Sequence, residues 1–85
     1  MSTYFRTAMK SNVTHDHRRA AVDRLIERGE RQNLAIIVET AGLRGEFRRQ
    51  ALEGLAACRA TDELEALAEE TSLDRSLRRR ADELT

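Results

Sequence analysis

A nine-residue pattern recurs three times at a fixed spacing, and it constrains the fold more than any other feature of the sequence. The copies begin at His17, Phe47 and Leu77 and read HRRAAVDRL, FRRQALEGL and LRRRADELT. Both offsets are thirty residues, since 47 − 17 and 77 − 47 are equal, and no gap is needed to align the copies. A gapless period of this length is typical of proteins built as a stack of like units, each contacting its neighbours.

Apolar residues between the copies repeat at the same offset. Leu34, Ile37 and Val38 align with three apolar residues of the segment 64–68. Their spacing of i, i+3 and i+4 places them on one face of a helix. Residues 4–13 share this register, which predicts that they form the second half of an earlier unit.

The pattern predicts an all-α protein with short loops, in which successive helices pack antiparallel. The six predicted helices cover residues 3–11, 15–28, 32–41, 45–58, 62–71 and 75–84. The predicted N-caps are Thr14 or Asp16, Thr61 and Asp74, since these side chains accept hydrogen bonds from free backbone N–H groups. Gly42, with Asn12 in the matching position, predicts a left-handed residue at the helix C-terminus.

The segment 47–55 resembles the first helix of short HEAT-like repeats, of the kind first noted in phycobilisome lyases. That helix carries an apolar residue, two variable or basic residues, a small residue and a leucine one turn on. The resemblance covers residues 4–84, although His17 and Asp82 take positions that are usually apolar. It implies an α-solenoid, a stack of antiparallel helix pairs that serves as a binding scaffold. It does not imply lyase activity, because no residue matches a chromophore site.

The helices that contain the recurring arginines are called A helices, and the others B helices. The single predicted domain, residues 1–85, divides into a half repeat 3–13, repeats 14–43 and 44–73, and a half repeat 74–85.

Charge and cysteine content restrict the functional classes. Fifteen basic and fifteen acidic residues cancel, whereas strong non-specific binding to nucleic acid normally requires a positive excess. Cys58 is the only cysteine, so an internal disulfide is excluded. No apolar run is long enough for a signal peptide or a membrane span. We therefore expect a cytoplasmic protein that does not enter a membrane.

The B helices provide the predicted partner-binding residues, because the second helix of each unit lines the binding surface in related α-solenoids. These residues are Arg6, Met9, Lys10, Gln32, Ile36, Glu39, Thr40, Asp62, Ala66, Glu69 and Glu70. Their charge changes from basic on the first B helix to acidic on the last, and residues 62–74 contain six acids and no base. The surface favours a protein partner with the opposite gradient. The alternative is a surface charged only for solubility.

The recurring arginine pairs allow two interpretations. A strip of arginines along the stack suits phosphates or an acidic partner. In the structural interpretation, Arg19 with Asp23, and the equivalent residues of later copies, form i, i+4 ion pairs that each stabilise a helix by about 0.2–0.5 kcal/mol. The structural interpretation is favoured, and it pairs Arg49 with Glu53 in the second copy.

Residues 62–84 also resemble a helix-turn-helix, with Arg78, Arg79 and Arg80 on the second helix as nucleic-acid-binding residues. The same turn recurs at residues 41–46, so stacking of repeats already accounts for it. DNA binding is therefore the alternative function, behind a protein–protein interaction module.

Catalysis is not indicated. His15 and His17 are two residues apart on a helix and point in different directions, so they would chelate a metal poorly. No base can be assigned to Cys58, and there is no glycine-rich phosphate loop. We expect no enzyme activity, no cofactor and no metal. The side of the last helix that carries Leu77 and Leu84 is a candidate homodimer contact at the end of the solenoid.

Overall fold

Six α-helices form where the apolar spacing predicts them. The computed structural model describes residues 2–85. Its helices are α1 (Thr3–Met9), α2 (His15–Glu27), α3 (Arg31–Glu39), α4 (Gly45–Ala57), α5 (Thr61–Ala68) and α6 (Arg75–Leu84). The first five end one to three residues earlier than predicted.

Two of the predicted N-caps are confirmed and one is wrong. The Thr14 hydroxyl accepts a hydrogen bond from the backbone N–H of His17 at 3.2 Å, which decides between the two candidates for α2. The Asp74 carboxylate accepts from the N–H of Ser76 at 3.2 Å. Thr61 is instead the first residue of α5, and its N-cap, Ala60, forms no side-chain cap.

Left-handed residues end the A helices rather than the B helices. Gly29 and Arg59, thirty residues apart, have φ values of 65° and 57° and are the positive-φ residues in the described part of the chain. At Gly29 the next N–H, that of Glu30, donates to Leu25 O at 3.0 Å, which is the long bond of a Schellman motif. The predicted left-handed cap at Gly42 is therefore wrong.

Arg59 adopts this conformation at a cost that glycine does not have. An L-residue in the left-handed region is less stable by about 1–2 kcal/mol, so we expect Arg59→Gly to raise the free energy of unfolding by about 1 kcal/mol. Gly29→Ala is the matched control and is expected to lower it by about 1 kcal/mol, because alanine is strained at the φ of 65°. Nothing lies within 4 Å of an added Cβ there, so no clash adds to this effect. Urea unfolding of both variants tests this, and a loss of stability in Arg59→Gly would contradict it.

The helices pack as three successive pairs, α1 with α2, α3 with α4 and α5 with α6. The A helices also contact one another in chain order, α2 with α4 and α4 with α6, and α3 contacts α5. The A helices thus form one layer and the B helices the other, within extents of 31 × 23 × 19 Å. This confirms the all-α arrangement of six helices in sequential pairs. The repeat boundaries 14–43 and 44–73 stay a prediction.

The repeated small and large apolar residues form the core. Ala21, Ala51 and Ala81 are at most 4% exposed, and Leu25 and Leu55 are fully buried. These residues meet between the A and B layers, so burial of each unit's apolar face depends on its neighbours.

The last helix is better covered than the sequence indicates. Leu77 is only 3% exposed, because α6 packs against both α4 and α5. The expectation that Leu77 is available to a second copy is therefore wrong. Leu84 is half-buried against the core, and a dimer through the end of the stack stays a prediction.

Candidate functional site

The predicted partner-binding residues lie on the B helices and in the turns that follow them, and we call this set the B surface. Eight of them are exposed: Arg6, Lys10, Gln32, Ile36, Glu39, Asp62, Ala66 and Glu69. Met9, Thr40 and Glu70 are half-buried. Met9 packs against the core, and the Thr40 hydroxyl donates to Ile36 O at 2.6 Å.

Ile36 is the most exposed large apolar side chain among residues 2–85, with 45% of its surface accessible. It lies on α3, in the middle pair of helices, and the thirty-residue offset aligns it with Arg6 on α1 and Ala66 on α5. A large apolar side chain is therefore at the centre of a face whose other exposed residues, apart from Ala66, are polar or charged. Such a position suits the buried core of a protein interface.

Charge changes sign from one side of the B surface to the other. We call Arg6 and Lys10 the basic end, and Asp62, Glu69 and Glu70 the acidic end. The basic end lies on α1 and at its C-cap, and the acidic end lies on α5 and in the turn after it. Because α1 and α5 belong to the two outer pairs, the gradient runs along the stack.

The first arginine has a structural role in the first two repeated pairs. Arg18 Nη1 donates to the carbonyl oxygens of Ala8 and Lys10, at 2.6 and 2.9 Å. Arg48 Nε donates to Val38 O at 2.8 Å. Both arginines thus satisfy carbonyl groups at the end of the preceding B helix, which have no partner inside the helix.

The predicted i, i+4 ion pairs are not formed in the described part of the chain. Asp23 and Glu53 bond to the next A helix instead. Asp23 accepts from Gln50 Nε2 at 2.8 Å. Thirty residues on, Glu53 accepts from Arg80 at 2.6 and 3.0 Å. This hydrogen bond lowers the pKa of the Glu53 carboxyl. Asp23 and Glu53 thus connect adjacent A helices, whereas the sequence interpretation paired them with arginines of their own helices.

The alternative nucleic-acid-binding residues do not form one free cluster. Arg80 is bound to Glu53 and also to Glu83, at 3.2 Å. Arg78 is half-buried, and its Nε is buried without a hydrogen bond. Arg79 is exposed and lies in a groove between α4 and α6. One of the three arginines therefore faces solvent without an ion pair within residues 2–85.

A second polar cluster, which sequence analysis missed, joins the first turns of α2 and α4. His15 Nε2 lies 2.7 Å from Glu46 Oε2, and its ring packs on Phe47 with 5.0 Å between centroids. The Arg18 guanidinium lies 5.5 Å from the same ring. His15, Arg18 and Phe47 border a cleft of about 340 Å³. The thirty-residue offset between residues 17 and 47 could have predicted this cluster, because stacked repeats place the first turns of neighbouring A helices side by side.

The His15–Glu46 contact predicts a pH dependence of stability. The hydrogen bond to Glu46 raises the pKa of His15 above 6.5. A group whose pKa is higher in the folded than in the unfolded state stabilises the folded protein. This stabilisation is fully present at a pH below the unfolded-state pKa, and it is lost as the pH rises through the folded-state pKa. We expect the stability of the wild type to fall as the pH rises above about 6.5. The decrease should be smaller in Glu46→Gln, as measured by urea unfolding, and an equal slope in both proteins would contradict the assignment.

Cys58 and His17, for which the sequence predicts no catalytic or metal-binding role, belong to no cluster of such groups within residues 2–85. The Cys58 thiol is half-buried and donates to Ile26 O at 3.4 Å, and His17 is exposed. Within residues 2–85, no three His, Cys, Asp or Glu side chains come together as metal ligands. None of the helices in that range is long and apolar enough to cross a membrane.

Comparison with protein-family models, curated proteins and solved structures found no match to this chain.

Proposed function

We propose that this chain is a non-enzymatic, HEAT-like repeat module that binds a protein through the B surface. The observation that carries the proposal is the exposure of Ile36 at the centre of a face whose two ends have opposite charge. An apolar centre with a polar rim is the usual composition of a protein interface. Such an interface needs no cofactor or metal, which agrees with the absence of catalytic motifs from the sequence.

The proposal that the repeats are HEAT-like is supported by structural roles that recur at the thirty-residue offset. Arg18 and Arg48 bond to the ends of the preceding B helices. Gly29 and Arg59 form the same left-handed turn. Equivalent positions thus make the same contacts or adopt the same backbone conformation in successive units, as expected of a solenoid in which each repeat contacts its neighbours.

DNA binding through α5 and α6 is the alternative function, and the structure favours it less. Arg80 is engaged by two carboxylates, and Arg78 is partly covered. The exposed Arg79 is the residue on which this alternative depends. A phosphate contact by Arg79 would make binding sensitive to salt.

A capture experiment with three proteins separates the two functions. The immobilised wild type, Ile36→Arg and Arg79→Ala are each exposed to a lysate of the source organism, with and without nuclease. Protein binding through the B surface predicts a discrete partner that survives nuclease, is lost with Ile36→Arg and is retained with Arg79→Ala. Material that disappears with nuclease and with Arg79→Ala would support DNA binding and overturn the proposal.

A further inference from the structure

The B surface is complementary to itself, and we propose that its partner is a second copy of this chain in a twofold dimer. The inference rests on the proposed function, because it names the partner of the same surface. It commits to an arrangement in which the basic end of each copy lies on the acidic end of the other.

The thirty-residue repeat places the opposite charges at the same position along their respective B helices. Lys10 and Glu70 occupy the same register position, one just after α1 and the other just after α5. Lys10 is exposed and Glu70 is half-buried. Ile36 lies between these two outer helices, on α3. A basic, an apolar and an acidic region therefore follow one another along the stack.

Only one orientation of a twofold axis places the basic end of each copy on the acidic end of the other. An axis in the interface, parallel to the B helices and passing near Ile36, places α3 on α3 of the second copy and α1 on its α5. Lys10 then faces Glu70 of the second copy, and the same pair forms again on the other side, as an isologous interface requires. An axis perpendicular to the helices would place each basic end on another basic end, which like charges oppose.

Burial and size support a weak to moderate dimer. The two exposed Ile36 side chains would cover each other at the axis, where a desolvated apolar contact contributes most. The extents of the molecule are 31 × 23 × 19 Å, so its broadest face approaches the area of about 800 Å² per partner found in standard interfaces. Glu39 of both copies would approach the axis, and this repulsion limits the affinity. The net charge of zero adds no long-range repulsion between copies.

Reversal of one charge in each of two variants tests the geometry. Lys10→Glu places two pairs of acids across the interface, and Glu70→Lys places two pairs of bases there. Each variant alone should dimerise at least about tenfold more weakly than the wild type. An equimolar mixture of the two should restore the dimer as a heterodimer, because both of its pairs are then of opposite charge. The double variant Lys10→Glu/Glu70→Lys should also restore it.

Sedimentation equilibrium over a range of concentrations gives the dissociation constants. Arg79→Glu and Asp82→Lys are the matched controls, since both reverse an exposed charge on α6 in the A layer, and both should dimerise as the wild type does. Circular dichroism checks that every variant keeps its helices. A mixture that stays monomeric, or single variants that still dimerise, would overturn the proposed arrangement.

Failure of this inference is distinguishable from failure of the proposed function. A wild type that is monomeric at every concentration overturns the dimer, while the capture experiment with Ile36→Arg still decides whether the B surface binds another protein. A dimer that is insensitive to Ile36→Arg overturns the inference, because the contact then lies on another face.

Discussion

Replacement of Ala51 by arginine is expected to unfold the domain. Ala51 is fully buried in the middle of α4, so the larger side chain overpacks the core, which costs about 1–3 kcal/mol. The guanidinium would also lie among buried apolar side chains, and an unpaired buried charge costs several kcal/mol more. The sum reaches about 5 kcal/mol, which is comparable to the whole stability of a small domain. Circular dichroism and thermal unfolding measure the loss of helix directly.

Arg49→Ala is the control from the same helix. Arg49 is exposed, and its Nη2 makes one long contact, 3.3 Å, with the Ser76 hydroxyl. A surface contact of this kind contributes less than about 0.5 kcal/mol, so the variant should unfold close to the wild-type midpoint. If Ala51→Arg folded normally and Arg49→Ala did not, the assigned faces of α4 would be wrong.

Gly54→Ala is expected to destabilise the domain by about 1–3 kcal/mol through overpacking. In most helix interiors this change stabilises by about 1 kcal/mol, so the sign of the effect is the test. A Cβ on Gly54 would overlap Ile26 Cγ1 and lie 2.6 Å from Ile26 Cδ1, at the contact between α4 and α2. A β-branched side chain on a helix has one strongly preferred rotamer, which limits how far Ile26 can move away.

Two further variants isolate the steric cause. Gly45→Ala adds a Cβ to the same helix where nothing lies within 4 Å, and it should leave stability within about 0.5 kcal/mol. Ile26→Ala removes both clashing atoms, so the double variant with Gly54→Ala should be more stable than the sum of the single effects. Strict additivity in urea unfolding would contradict a direct contact between these residues.

Much of the fold was predictable because it depends on local periodicity. The i, i+3, i+4 spacing places Leu34, Ile37 and Val38 on one helix face whatever that helix packs against, and all three are buried. The gapless recurrence then repeats that result along the chain. Turn geometry was less predictable, because the left-handed conformation at Arg59 is imposed by the tight connection from α4 to α5 rather than favoured by the residue.

Most of the exposed residues of the B surface were also predictable, because they lie on the sides of the B helices opposite the buried apolar face. The prediction is less accurate for Met9, Thr40 and Glu70, which are half-buried, and Met9 packs against the core. A short helix at the end of a stack, such as α1, has fewer neighbours, and its exact rotation depends on what α2 presents to it.

The sequence by itself determined the period, the helices and the apolar face, because these depend on residues three or four positions apart. Only the tertiary structure decided how the polar side chains are used. Arg18 and Arg48 reach carbonyl groups ten residues away, and Arg80 bonds to Glu53 across a helix contact. The reason is geometric: a long side chain on a helix has several partners within reach, and the packing of the next helix selects among them.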